Sequence, residues 1–179
     1  MTSSFLSPKV ELCESPTEGK GLFAKERILK GELVVDFTNG PGTYISTKEA
    51  DALFAKGSDH MIQVDDDLFL AAADVSELED ADYINHSCEP NCGIKDALRI
   101  VAMRDIESGK EVSIDYAMME SSDFSFACNC GAQNCRGKVT GNDWKSPELQ
   151  EKYGEHFSEY LKKRMRAAIG KGKLSIQQQ

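Results

Sequence analysis

Before residue 117 the apolar positions fall in short runs broken every few residues by turn signals, a pattern of strands rather than of long helices. Val10–Cys13, Gly21–Ile28 and Glu32–Phe37 read as strands, with E-G-K-G and L-K-G turns between them. T-N-G-P-G, residues 38–42, is a loop. Ser46-x-x-Glu49 has the form of a capping box and predicts a short helix over Thr47–Ala55. Met61–Val64 and Leu68–Ala71 flank Asp65-Asp66-Asp67 as a hairpin, and acidic Val75–Asp82 predicts a single helical turn. Leu98–Met103 and Glu111–Tyr116 are strands around an E-S-G-K turn. The fold class is therefore mainly β, with α elements added.

The pattern changes after residue 117. Ser146 and Pro147 stand at the cap and first position of a helix, which Gly154 interrupts. Phe157, Tyr160, Leu161, Met165 and Ala168 recur at helical spacing, a stripe suited to packing. The run Lys162-Lys163-Arg164-x-Arg166 reads as a solvated helix end, where cations complement the dipole. The last ten residues read as a frayed tail. The expected parts are a β domain over 8–117, a cysteine-rich segment over 124–140, a helical extension over 146–169 and a tail over 170–179.

Charge narrows the partners. The net charge of -9 hides an asymmetry, because the last acid is Glu159 and six basic residues lie between Lys162 and Lys173. Most of the chain is thus strongly acidic, which repels nucleic acid and attracts basic peptides. No run is long and apolar enough to cross a bilayer, and the N-terminus shows no charged-then-apolar signal pattern. The expected location is cytoplasmic where the chain is made, and nuclear if the source or its host has chromatin. There the six cysteines are reduced and serve as metal ligands or free thiols.

C-N-C-G-A-Q-N-C places Cys128, Cys130 and Cys135 within eight residues. Three thiolates so close can point at one ion, and structural zinc takes four ligands in a tetrahedron. The fourth comes from a distance, with Cys13, Cys88, Cys92, His60, His86 and His156 as candidates. Cys88 is preferred. It lies in Y-I-N-H-S-C-E-P-N-C, residues 83–92, where Pro90 stiffens the chain.

Together these segments resemble the SET-domain protein lysine methyltransferases. Glu18-Gly19-Lys20-Gly21-Leu22-Phe23-Ala24 is similar to the family's first motif. Asn85-His86-Ser87-Cys88-Glu89-Pro90-Asn91 resembles its central motif almost letter for letter. Gly109–Tyr116 is similar to the third, and Cys128-x-Cys130-x4-Cys135-Arg136-Gly137 to the cysteine-rich post-SET segment. The resemblance implies a β-clip of small sheets in which the central motif threads beneath a loop as a pseudoknot, bringing 85–91 beside 112–116. It implies S-adenosylmethionine bound by Lys20, Gly21 and Leu22, by His60, Asn85 and His86, and by Tyr116, Phe126 and Asn129. It implies Tyr116 as the catalytic tyrosine and a structural zinc on Cys88, Cys128, Cys130 and Cys135.

The implied reaction moves a methyl group from the sulfonium to the ε-amine of a lysine in a histone or other basic protein. The acids Asp65, Asp66, Asp67, Asp74, Glu77, Glu79, Asp80 and Asp82 offer an acidic rim for such a substrate. The amphipathic C-terminal helix offers a surface for a homodimer. The chain departs from the resemblance in places: Phe37 and His60 stand where the family has tyrosines, Leu78-Glu79 where a Gly-Asn pair commonly precedes the central motif, and Met118 where the family has an aromatic residue. These departures motivate a rival reading, a catalytically idle SET fold that binds a peptide or partner. A nucleic-acid-binding zinc module suits the basic tail but conflicts with the acidity before it.

Overall fold

The computed structural model of the chain describes residues 3–72 and 74–176, with the backbone alone at residue 75 and residues 169–176. Thirteen short strands are present: β1 (Phe5–Leu6), β2 (Val10–Glu14), β3 (Lys20–Ala24), β4 (Leu33–Asp36), β5 (Thr43–Ile45), β6 (Met61–Asp65), β7 (Leu68–Ala71), β8 (Asn85–His86), β9 (Cys92–Lys95), β10 (Arg99–Ala102), β11 (Glu111–Ile114), β12 (Ser125–Ala127) and β13 (Lys138–Thr140). Among the described residues three α-helices accompany them: α1 (Thr47–Phe54), α2 (Pro147–Tyr153) and α3 (Glu159–Ile176). The strands form sheets of order β1-β4-β10-β9, β2-β3-β11-β8, β5-β7-β6 and β12-β13. No described helix is long and apolar enough to cross a membrane.

β11 positions the site. Its first half pairs antiparallel with β3, Glu111 against Phe23 and Val112 against Leu22. Its second half pairs parallel with β8, Ser113 against Asn85 and Ile114 against His86. Asn91 extends this contact by acting as a strand partner through its side chain. Its Nδ2 donates to the Glu111 carbonyl at 2.7 Å and its Oδ1 accepts from Ser113 N at 3.0 Å. The central motif is thereby fixed beside residues 111–114. Leu22, Val34, Val35, Val112 and Ile114 are all but inaccessible to solvent. Burying each such side chain is worth about 1.5–3 kcal/mol.

Two predicted strands end early and one predicted helical turn splits, each for a local reason. The strand expected over Gly21–Ile28 stops at Ala24, because Lys25, Glu26 and Arg27 are all exposed; Ile28 makes only an isolated bridge to Ile106. The strand expected to reach Tyr116 stops at Ile114, where Asp115 Oδ1 accepts from Ala117 N at 3.0 Å and starts a 3₁₀ turn over Tyr116–Met118. Val75–Asp82 splits into two 3₁₀ turns, Val75–Glu77 and Asp80–Asp82. The capping box forms, with Ser46 N donating to Glu49 at 2.8 Å. Ser146 precedes α2 as expected but makes no capping bond through its side chain.

The C-terminal extension shares the main core. Gly154, at φ +51, breaks the helical path between α2 and α3. Phe157, Tyr160 and Leu161 are buried in the same cluster as Leu22, Val112 and Trp144, and Met165 packs against it, whereas Ala168 is exposed. The Tyr160 hydroxyl donates to Asp66 at 3.0 Å and accepts from Arg164 at 2.7 Å, which pins α3 to the β6–β7 turn. α3 runs to Ile176, beyond the expected start of a frayed tail at 170; residues 177–179 lie outside the described residues.

Candidate active site and metal centre

The four cysteines favoured from sequence converge. The sulfurs of Cys88, Cys128, Cys130 and Cys135 all lie within 4.8 Å of one another, with Cys88 and Cys128 3.8 Å apart. A tetrahedral ion with metal–sulfur bonds of about 2.3 Å needs sulfurs about 3.8 Å apart. Gly131 and Gly137, both at φ +71, supply left-handed turns that let the chain wrap so small a radius. Cys13 is exposed and Cys92 is buried in the main core, its thiol pushed up to about 12 by burial. Neither they nor His60, His86 and His156 belong to the group.

Backbone amides point at the sulfurs of this cluster. Cys88 N donates to Cys130 Sγ and Arg136 N to Cys88 Sγ, each at 3.4 Å. Burial works to raise the Cys130 thiol, but N–H donation from Cys88 and Ala132 overcomes it and brings the pKa down to about 7. Burial raises Cys88 and Cys128 instead. A bound cation displaces thiol protons of this kind.

His86 joins the cluster to Tyr116. Tyr116 N donates to His86 Nδ1 at 3.3 Å, so that nitrogen is the acceptor and the ring proton sits on Nε2, 3.4 Å from Cys88 Sγ. Burial lowers the pKa of His86 to about 4, so the ring is neutral at physiological pH. Beneath it, Asp115 is completely buried. Burial opposes its ionisation, yet two Arg136 hydrogen bonds, at 2.6 and 2.8 Å, keep the carboxyl below the ordinary range.

A cavity of about 750 Å³ opens beside these groups. Lys20, His60, Asn85, His86, Tyr116, Phe126 and Asn129 line it. Leu22 is packed into the core instead, and Gly21 backs onto Asn85 and Glu111. The Asn85 amide nitrogen donates to the carbonyls of Glu18 and Lys20 and to Glu111 Oε1, at 3.3, 3.0 and 2.7 Å. It therefore fixes the glycine turn to the central motif. His60 Nδ1 lies 3.2 Å from the Asp82 carbonyl and its ring sits edge-on to Tyr83. Tyr116 donates its hydroxyl to the Ile84 carbonyl at 3.2 Å. Burial pushes that phenol well above its ordinary pKa, so it is a neutral hydroxyl at physiological pH.

The cavity is acidic, through a few of the residues expected and several that were not. Of the acids expected at the rim, Glu77 and Asp82 line it. Several others are engaged elsewhere: Asp67 accepts from Thr47 N, Asp74 from Ser76 and Glu79 from Ser3 and Ser4. Glu18, Asp51, Asp59, Glu120 and Asp123 also line the cavity, and among the described residues Lys20 is its only lysine or arginine. These acids are scattered along the sequence, so no charge run announced them.

Residues 19–117 match the model of the SET domain family, and the chain belongs to that family. Its curated relatives include Histone-lysine N-methyltransferase SETD1B of Xenopus laevis, 32% identical over 75% of this chain and 7% of the relative. Histone-lysine N-methyltransferase, H3 lysine-4 specific, of Schizosaccharomyces pombe is 34% identical over 65% of this chain and 14% of its own length. Histone-lysine N-methyltransferase, H3 lysine-36 specific, of Homo sapiens is 27% identical over 84% of this chain and 6% of its own length. The chain thus spans a small part of these relatives. Family membership implies S-adenosylmethionine as the small-molecule partner, and the four-cysteine group is able to hold a metal ion.

Proposed function

We propose that the chain is a protein-lysine N-methyltransferase that uses S-adenosylmethionine and carries a structural zinc on Cys88, Cys128, Cys130 and Cys135. The observation that carries the reading is the neutral Tyr116 hydroxyl, held on the Ile84 carbonyl at the wall of an acidic cavity. The volume, about 750 Å³, is within the range of sites that enclose a small molecule. Phe126 offers an aromatic face, and Asn129 offers polar atoms beside it. When bound, S-adenosylmethionine supplies an electrophilic methyl group on a sulfonium.

The chain's own residues then have three tasks. The first is to attract and orient a cation, which Glu18, Asp59, Glu120 and Asp123 favour by charge. The second is to favour the neutral amine. A free lysine has a pKa of about 10.4, so the neutral form near pH 7.4 costs about 4 kcal/mol. Desolvation against Ile84, Tyr116 and Met119 lowers that cost, and no dedicated general base is required. The third is alignment. The Tyr116 oxygen, its proton committed to Ile84, is free to accept a hydrogen bond from the amine. The substrate is a histone or another basic protein, met without direct nucleic-acid contact. Phe157, Tyr160 and Leu161 of the apolar stripe pack into the chain's own core.

Incubating the protein with tritiated S-adenosylmethionine and a lysine-rich protein mixture tests the reading. Transfer to lysine is expected, and Tyr116→Phe should lower it by at least about 100-fold. A folded, metal-loaded protein that binds the cofactor but transfers nothing would instead support the idle-fold reading. Phe37 and His60, both at the cavity wall without a hydroxyl, motivate that rival.

A further inference from the structure

The segment after residue 117 reaches back to the catalytic strand end. Tyr153 closes α2, its ring almost fully buried and tilted against Phe157 at 6.0 Å. Its hydroxyl donates to Asp115 Oδ2 at 2.7 Å. On the same carboxylate, Oδ1 accepts from Ala117 N at 3.0 Å, the bond that starts the 3₁₀ turn carrying Tyr116. Two Arg136 bonds complete the set. A carboxylate has about four acceptor sites, so Asp115 is saturated and its plane is fixed from three directions.

We infer that Tyr153, supplied by a helix outside the matched SET segment, is a positioning residue that sets the orientation of Tyr116 through Asp115. The inference rests on the methyltransferase reading for its kinetic consequence only. Without the Tyr153 hydroxyl, Arg136 still neutralises Asp115, so the fold survives. The carboxylate is then free to swing on its remaining bonds, and the Ala117 N–H and the Tyr116 ring move with it. The adjacent Lys152 provides a contrast. It reaches the Cys88 carbonyl at 2.8 Å from the same helix and has no bond to Asp115.

Tyr153→Phe, read against Lys152→Met, tests this. Tyr153→Phe should lower kcat about tenfold. KM for the peptide and Kd for the cofactor should stay within about twofold, since the lost interaction acts on alignment. Hydrogen exchange at the Ala117 amide should quicken severalfold while the β9–β10 amides keep their rates. Lys152→Met should leave both readouts unchanged. Placing 4-aminophenylalanine at 153 restores a donor in the same place and should recover kcat. Unchanged kcat and Ala117 exchange in Tyr153→Phe, an equal loss in Lys152→Met, or a folded 4-amino variant that fails to recover would each overturn the inference. If the wild-type protein transfers no methyl group, the functional reading fails by itself, and Ala117 exchange still decides the positioning role.

Discussion

Arg136 closes on Asp115 with both terminal nitrogens, one residue after the last cysteine and one residue before Tyr116. The pair ties the cysteine loop to the end of β11 by charge as well as by any bound ion. Its environment makes it costly to break: Asp115 is inaccessible to solvent, and Arg136 is held further by Asp143 at 3.1 Å.

Arg136→Met should therefore destabilise strongly. Removing one partner leaves a buried carboxylate without its counter-charge, a loss of about 3–5 kcal/mol. For a domain of this size that is a fall of roughly 10 °C in Tm. Adding Asp115→Asn to Arg136→Met should recover part of it, because the unpaired charge is gone. Equal Tm values for wild type and Arg136→Met in a thermal scan would show that the pair contributes nothing net.

Gly21 predicts a binding defect. A Cβ built there collides with the Glu111 carboxylate and comes within 2.8 Å of Asn85 Nδ2. These two groups bond each other, and the same Asn85 amide donates to the Glu18 and Lys20 carbonyls that fix the glycine turn to the central motif. Gly21→Ala should weaken S-adenosylmethionine binding about tenfold by calorimetry, each factor of ten being about 1.4 kcal/mol. Undiminished affinity would remove the glycine turn from the cofactor's approach.

What the sequence made legible follows local chemistry. The capping box at Ser46 and Glu49, the hairpin around Asp65–Asp67 and the break at Gly154 rest on residues that dictate backbone shape on their own, and each is present. The cysteine trio was equally readable, and the choice of Cys88 as its partner rested on the motif around it. What was not legible is made by pairing. β5, β8, β9, β12 and β13 are short and lack a clear alternating pattern, so only their partners define them. Nothing in the sequence distinguishes Tyr153 from an ordinary aromatic residue of a helix. Its role appears only once α2 is folded against Asp115, 38 residues away in sequence. Glu18, Asp51, Asp59, Glu120 and Asp123 escape a sequence reading for the same reason, being brought to the cavity from separate segments.

Metal content offers a clean discrimination among the cysteines. Purified protein should carry about one zinc per chain by atomic emission, held in a four-thiolate site. Cys128→Ser should lose it and lower Tm, since metal binding free energy is folding free energy. Cys13→Ser should keep the full complement, as Cys13 is exposed and apart from the cluster. Loss of zinc in Cys13→Ser, or its retention in Cys128→Ser, would refute the ligand assignment.

Glu120 yields a prediction in which stability and substrate recognition move in opposite directions. Its carboxyl lines the cavity, and burial raises its pKa; N–H groups of Ser121 and Ser122 only partly offset this. A raised pKa means that the folded state binds more protons than the unfolded chain between the ordinary carboxylate range and the folded value. Stability from this group is thus present at low pH and lost as pH rises through that window. Glu120→Gln cannot ionise, so its Tm should exceed that of wild type at pH 7–8, by roughly 2–4 °C per kcal/mol recovered. The gap should close toward pH 4, where the wild-type side chain is protonated as well. The same change removes a negative charge facing the incoming cation and should raise KM for a lysine peptide several-fold, with more effect at low salt. Thermal scans of both proteins from pH 4 to 8 check the first half and peptide titrations at two ionic strengths the second. A Tm gap independent of pH would mean that the ionisation of Glu120 does not set its cost, and an unchanged KM would place the carboxylate off the substrate's path.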